Sequence, residues 1–251
     1  MKKILHIRRQ VSPKDAPYWE DYRYETEESA ATVATALLEI GENDRIAGAG
    51  PYRPIMWEHS CLQKKCGACA MLIDGRPALA CDTRLADLKK EKITVEPLKK
   101  FPIIADLLVD RTVMMERLLT IGSWFEGDAQ VRNERRAFEA SKCLQCGLCL
   151  EVCPNFYAEG PFGGMAAMVP LARILSKVPD GQRKKAAMHY RKAVYEGCGK
   201  SLACRDICPA GVDIGMLLTK SNAAAVWNRW RADAEKNGEK TLRKKWRKDD
   251  G

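Results

Sequence analysis

The chain has 251 residues, 46% hydrophobic and 30% charged, with a formal net charge of +9. That balance can bury a core and excludes a disordered or collagen-like chain. No stretch approaches the ~18 consecutive apolar residues of a membrane span. The opening MKKILHIRRQ has no long apolar segment behind its charges, so a reducing compartment is expected rather than secretion.

In chain order, Lys3–Arg8 reads as a short strand and Tyr18–Thr26 as a second, paired across Ser12-Pro13-Lys14-Asp15. Glu28–Ile40 follows as a helix, with Val33, Leu37 and Ile40 at helical spacing and Gly41 as a stop. Then comes Cys61-x4-Cys66-x2-Cys69-x11-Cys81. Within it, Met71–Ile73 and Ala78–Ala80 flank Asp74-Gly75, a hairpin signal that returns Cys81 toward Cys69. Ile93–Val95 supplies a last strand. Strands around one helix, with a cysteine loop between them, suit a β-grasp domain over residues 1–103.

Residues 104–251 read as helical. Leu107–Leu119, Glu134–Ser141, Val169–Val178 with Pro170 in its first turn, Met188–Tyr195 and Ile214–Glu235 are the expected helices. Asp110, Arg111, Arg117 and Trp124–Asp128 read as links and caps without chemistry. Trp227 and Trp230 share a helix face suited to core packing or a partner. Two more cysteine runs lie here: Cys143-x2-Cys146-x2-Cys149-x3-Cys153-Pro154 and Cys198-x5-Cys204-x3-Cys208-Pro209. The prolines turn the chain away after each run.

These three runs use all eleven cysteines. The first has the plant-type spacing for a 2Fe-2S cluster, and the second has the bacterial ferredoxin spacing. The third is that bacterial run with Ser201 in place of its second cysteine. Four, four and three thiols are what one 2Fe-2S, one 4Fe-4S and one three-iron cluster consume. Zinc sites close with two C-x2-C pairs or with spaced histidines, whereas His6, His59 and His189 are scattered. A serine oxygen at position 201 could ligate a fourth iron, but thiolate is the softer ligand and three irons are expected. Gly67 and Ala68 let backbone N–H groups approach cluster sulfur. Lys64 and Lys65 either raise the potential or are screened surface charge.

Residues 55–81 and 143–209, reading CLQKKCGACAMLIDGRPALAC, CLQCGLCLEVCP and CGKSLACRDICP, resemble the iron-sulfur subunit of succinate dehydrogenases and fumarate reductases. PIIADLLVDRTVMMERL is similar to that family's linker. The resemblance implies an α+β chain, a β-grasp 2Fe-2S ferredoxin domain followed by an α-helical bacterial-type ferredoxin domain. It also implies that Cys61, Cys66, Cys69 and Cys81 hold 2Fe-2S. Cys143, Cys146, Cys149 and Cys208 would hold 4Fe-4S, and Cys153, Cys198 and Cys204 would hold 3Fe-4S. Such a subunit relays single electrons and has no dicarboxylate site or catalytic residue of its own. Its implied partners are a flavoprotein carrying FAD and a membrane anchor with quinone and, in some members, haem. That would hold the chain peripherally on the cytoplasmic side of the inner membrane.

Many ubiquinone-linked members carry a tryptophan pair after the second run and a histidine after the first cysteine of the third. Here the residues are Pro154-Asn155-Phe156-Tyr157 and Cys198-Gly199. The departure favours a menaquinone-linked complex, leaving open a quinone site built wholly by the anchor or a far partner that is not a quinone. The alternative function is an iron-sulfur adaptor of a soluble or thiol-linked reductase. The basic segment Arg243–Lys248 reads as a solvated terminus, with an anionic membrane surface as the competing reading. No nucleic-acid recognition module accompanies the charge.

Overall fold

The computed structural model describes residues 1–47, 53–124, 127–128, 134–178 and 180–226. Trp227, Trp230, Arg243–Lys248, Phe125, Glu126 and the expected helix end at Glu235 lie outside these.

Strands β1 (Lys2–Arg9) and β2 (Tyr18–Glu25) form the expected antiparallel hairpin, with Lys2 opposite Glu25 and Arg9 opposite Tyr18. Ser12 closes its turn: the carbonyl accepts from Asp15 N at 3.1 Å and the hydroxyl donates to Asp15 Oδ2 at 2.6 Å. Strand β3 (Ala70–Ile73) and β4 (Arg76–Leu79) form the second hairpin. Its Asp74 and Gly75 have φ of 49° and 76°, the paired positive values that a two-residue type I′ turn needs. Strand β5 (Lys92–Glu96) enters between the hairpins, parallel to β1 and antiparallel to β3, giving the order β2-β1-β5-β3-β4.

Alternation along β1 turns Leu5 and Ile7 inward, where Val33, Leu37, Ile93 and Val95 meet them, each at most 1% exposed. Each such aliphatic side chain contributes about 1.5–3 kcal/mol by leaving water. Helix α1 (Val33–Ala47) covers this face. It begins later than the apolar pattern from Glu28 predicts, because Thr32 and Thr35 cap it reciprocally. Thr35 N donates to Thr32 Oγ1 at 3.1 Å and Thr32 N to Thr35 Oγ1 at 3.2 Å. Gly41 does not stop it.

The expected helix over Leu107–Leu119 splits in two. Strands β6 (Ile103–Ala105) and β7 (Leu108–Val109) make a small hairpin, and α2 (Thr112–Thr120) follows. Asp106 at the hairpin tip decides this. Its side chain is fully buried, and its φ of 45° breaks a helix. Its Oδ1 accepts from Gln10 N at 2.8 Å and Arg53 Nη2 at 3.0 Å and pairs with Arg9 Nε at 3.1 Å; Oδ2 accepts from Met56 N at 2.9 Å. Arg9, 1% exposed, also donates to Glu20 and to the Arg53 carbonyl. One buried ion pair thus ties the end of β1 to the segment leading into the first cysteine loop.

The remaining helices are α3 (Glu134–Ser141), α4 (Leu148–Glu151), α5 (Gly164–Leu175), α6 (Asp180–Tyr190), α7 (Ala203–Asp206) and α8 over residues 214–226. A single π turn, Arg191–Tyr195, continues α6. Helix α5 starts five residues before the expected Val169 and is buried on nearly every side, from Met165 to Leu175. Pro170 therefore sits inside the helix rather than in its first turn.

The two halves meet along the cysteine runs. Glu151 receives the backbone N–H groups of Lys99 at 3.0 Å and Lys100 at 3.1 Å, and Phe101 packs on Phe156 with ring centroids 5.8 Å apart. Among the described residues no helix is long and apolar enough to cross a membrane.

Removing one member of a buried ion pair strands the other, at a cost of about 3–5 kcal/mol. Asp106→Ala is expected to lower the denaturation midpoint correspondingly, while the surface change Lys2→Ala, at an exposed pair, leaves it within about 0.5 kcal/mol. Equal midpoints in the two variants would discount the hub.

Candidate iron-sulfur sites

All eleven cysteines are free thiols. The first run forms an open loop after the buried Ile55. Leu62 and Lys64 adopt φ of 55° and 57°, and Gly67 of 77°. Residues turned into this left-handed region curl the backbone so that successive N–H groups face inward, a concavity that suits anions. Here they face sulfur. Gln63 N and Lys65 N donate to Cys61 Sγ at 3.4 and 3.3 Å, Lys64 N to Cys81 Sγ at 3.3 Å, and Ala68 N to Cys66 Sγ at 3.5 Å.

The amides from Gln63 and Lys65 pull the Cys61 thiol down to about 7. Burial pushes Cys69 up to about 12, and Cys69 shares a hydrogen bond with Cys81 as Cys61 does with Cys66. The four thiols thus fall into two pairs, Cys61 with Cys66 and Cys69 with Cys81. Two thiols per iron is what a two-iron cluster with four cysteines uses. The lysines contribute through their backbone: the Lys64 ammonium pairs outward with Asp82 at 2.7 Å, both half-exposed, which favours the surface-charge reading.

The second run repeats the device, with φ of 53° at Gln145 and 85° at Gly147. Cys143, Cys146, Cys149 and Cys208 line one small cavity walled by Met165, Val169, Val212 and Ile214. Burial raises the Cys143 thiol, takes Cys146 to about 11 and lifts Cys149 far above its ordinary value, each reinforced by the neighbouring thiols including Cys208. Cys208 therefore crosses from the third run to this group.

Pro170 explains an extra donor. Lacking an N–H, it leaves the Ala166 carbonyl four residues earlier without its helical partner. Gln145 Nε2 fills that vacancy at 3.2 Å and also donates to Cys143 Sγ at 3.3 Å. A proline inside the most buried helix thereby fixes a hydrogen bond to a cysteine sulfur.

The third run has φ of 58° at Lys200 and 59° at Leu202. Burial raises Cys204 to about 11, with Cys153 and Cys198 as its neighbouring thiols. Ser201 is exposed beside them. Asn155 donates to the Gly197 carbonyl at 2.6 Å and latches this loop.

The middle group borders both others. A Cβ on Gly67 would lie 2.7 Å from Cys146 Cβ, and Cys149 feels Cys204 directly. Among the described residues no three His, Cys, Asp or Glu side chains converge closely enough for a single metal ion. A cluster instead spreads its cysteines over several irons. All-sulfur donors, amides aimed at sulfur and a cavity walled by four thiols fit iron-sulfur clusters.

Sequence reasoning missed Arg111, which donates to the carbonyls of Gly67, Ala68 and Cys146. It missed Glu151 as well. Neither has a local signal, because each acts on residues more than thirty positions away.

The fold and sites define a two-domain iron-sulfur protein, and comparison agrees. Residues 4–116 match a 2Fe-2S iron-sulfur cluster binding domain and residues 139–212 a 4Fe-4S dicluster domain. The succinate dehydrogenase iron-sulfur subunit of Bacillus subtilis is 33% identical over 83% of this chain and 86% of its own length. The fumarate reductase iron-sulfur subunit of Wolinella succinogenes is 28% identical over 79% and 85%. A solved chain of the Mycobacterium smegmatis Sdh1 complex shares the fold, with a TM-score of 0.73 at 20% identity over 91% of this chain and 97% of that one. The chain belongs to the family of iron-sulfur subunits of succinate dehydrogenases and fumarate reductases.

Thiolate is the reactive form of cysteine. In the cluster-free chain, iodoacetamide at pH 7 followed by mass spectrometry should therefore find Cys61 modified well before Cys69, with the Cys61 rate falling as pH drops through about 7. Equal rates would rule out the loop amides as the cause.

Proposed function

We propose that this electron-transfer subunit carries three clusters in a row. Cys61, Cys66, Cys69 and Cys81 would hold 2Fe-2S, Cys143, Cys146, Cys149 and Cys208 would hold 4Fe-4S, and Cys153, Cys198 and Cys204 would hold 3Fe-4S. The observation that carries this reading is the position of the middle group, touching the first through Gly67 and the third through Cys149. The clusters supply one-electron redox chemistry. The chain supplies their order, their burial and the hydrogen bonds to sulfur that set potential.

On this reading residues 1–103 form the 2Fe-2S domain and residues 104–251 the two-cluster domain, with the β6–β7 hairpin at the division. The first loop would face a flavoprotein carrying FAD that acts on succinate or fumarate. The third would face a membrane anchor with quinone, menaquinone being favoured by Asn155, Phe156 and Gly199. Both partners would hold the chain peripherally at the cytoplasmic side of the membrane.

The purified complex should contain about nine irons per copy of this chain, from two, four and three. Electron paramagnetic resonance should resolve one signal from the oxidised three-iron cluster and two on progressive reduction. About ten irons without the three-iron signal would overturn the Ser201 assignment.

A further inference from the structure

Arg111 lies where the first and second cysteine loops touch. Its Nη1 donates to the Gly67 carbonyl at 3.1 Å and to the Cys146 carbonyl at 3.1 Å; its Nη2 donates to the Ala68 carbonyl at 2.9 Å and pairs with Glu58. The side chain is 16% exposed, against 50% for Glu58. Its backbone is fixed from both directions. Asp110 N donates to the Pro102 carbonyl at 2.8 Å, Asp110 Oδ1 accepts from Thr112 N at 2.8 Å, and Met114 N donates to the Arg111 carbonyl at 2.9 Å.

Three carbonyl oxygens on one guanidinium have a consequence for the opposite edge of each peptide. In a trans peptide the C=O and N–H point in opposite directions. Drawing the Gly67 oxygen toward Arg111 turns the Ala68 N–H the other way, and that N–H donates to Cys66 Sγ. Arg111 thus aims amides while holding the loops together. It also places a positive charge at the contact between two sites whose occupants gain negative charge on reduction. Only a planar fork with several donors can serve three carbonyls in this way.

We infer that Arg111 is a positioning residue shared by the first two cluster sites, setting both the distance between them and their reduction potentials, with Glu58 as its partial counterweight. The inference rests on the assignment of 2Fe-2S to the first loop and 4Fe-4S to the group containing Cys146. A cation nearby favours the reduced, more negative cluster, so removing it lowers both potentials. The three-iron site, on the far side of the middle group, is the internal control.

The test is redox-titrated electron paramagnetic resonance on the assembled complex with Arg111→Met, Arg111→Lys and Glu58→Gln. Arg111→Met should lower the midpoints of the 2Fe-2S and 4Fe-4S clusters and weaken the magnetic interaction between them when both are reduced. The three-iron midpoint should not move. Arg111→Lys should restore the midpoints but not the full interaction, because an ammonium keeps the charge without the fork. Glu58→Gln should shift the 2Fe-2S midpoint upward, opposite in sign to Arg111→Met. Wild-type midpoints and interaction in these variants would overturn the inference, as would equal shifts of all three clusters. If Arg111→Met does not assemble, the other two variants decide by the same criteria. A wild-type complex lacking separate two-iron and four-iron signals would instead sink the cluster assignment beneath it.

Discussion

The contact between Gly67 and Cys146 leaves no room for a side chain: a Cβ there would lie 2.7 Å from Cys146 Cβ and 3.0 Å from the Leu144 carbonyl oxygen. Two cysteine loops from different halves of the chain therefore meet backbone to backbone. Around that contact the structure arranges its polar ties. Arg111 bridges the carbonyls, Glu151 gathers the amides of Lys99 and Lys100, and Phe101 sits over Gly147 and against Phe156. The β-grasp sheet and the helices about α5 share one continuous apolar core through this seam, which fixes how they sit. A relay of single electrons depends on close approach of its centres, so the seam is a functional element rather than a hinge.

The three cysteine runs share a backbone habit. Leu62, Lys64, Gln145, Lys200 and Leu202 are ordinary residues held in the left-handed region, together with Gly67 and Gly147. Each non-glycine residue there costs on the order of 1–2 kcal/mol. Such strain persists only where the surroundings over-determine it, and it concentrates at functional sites. In the first loop its product is visible as four amides directed at sulfur.

How much of this the sequence disclosed follows from the range of the interactions. Cysteine spacing is a local property, and it points to the 2Fe-2S and 4Fe-4S domains and to the family. Asp74-Gly75 is equally local, and the hairpin follows. Helix α1 starts at Val33 because of the Thr32 and Thr35 caps, a pairing present in the sequence but outweighed there by the apolar pattern from Glu28. The β6–β7 hairpin was illegible, since Asp106 needs partners at residues 9, 10, 53 and 56 before its buried carboxylate makes sense. Pro170 suits the first turn of a helix by its local preference alone. Inside α5 it frees the Ala166 carbonyl for Gln145, 21 residues earlier in the chain.

The crossing of Cys208 into the group of Cys143, Cys146 and Cys149 gives the two halves different histories during synthesis. Domains fold as units, N-terminal first, as the chain emerges from the ribosome. The first half has its whole sheet by Glu96 and all four of its thiols by Cys81. It can be completed while the remainder is still being translated. Neither later group closes until the third run has emerged, because one awaits Cys208 and the other awaits Cys198 and Cys204. A chain that stops before Cys198 therefore holds the first group of thiols whole and only part of each later one.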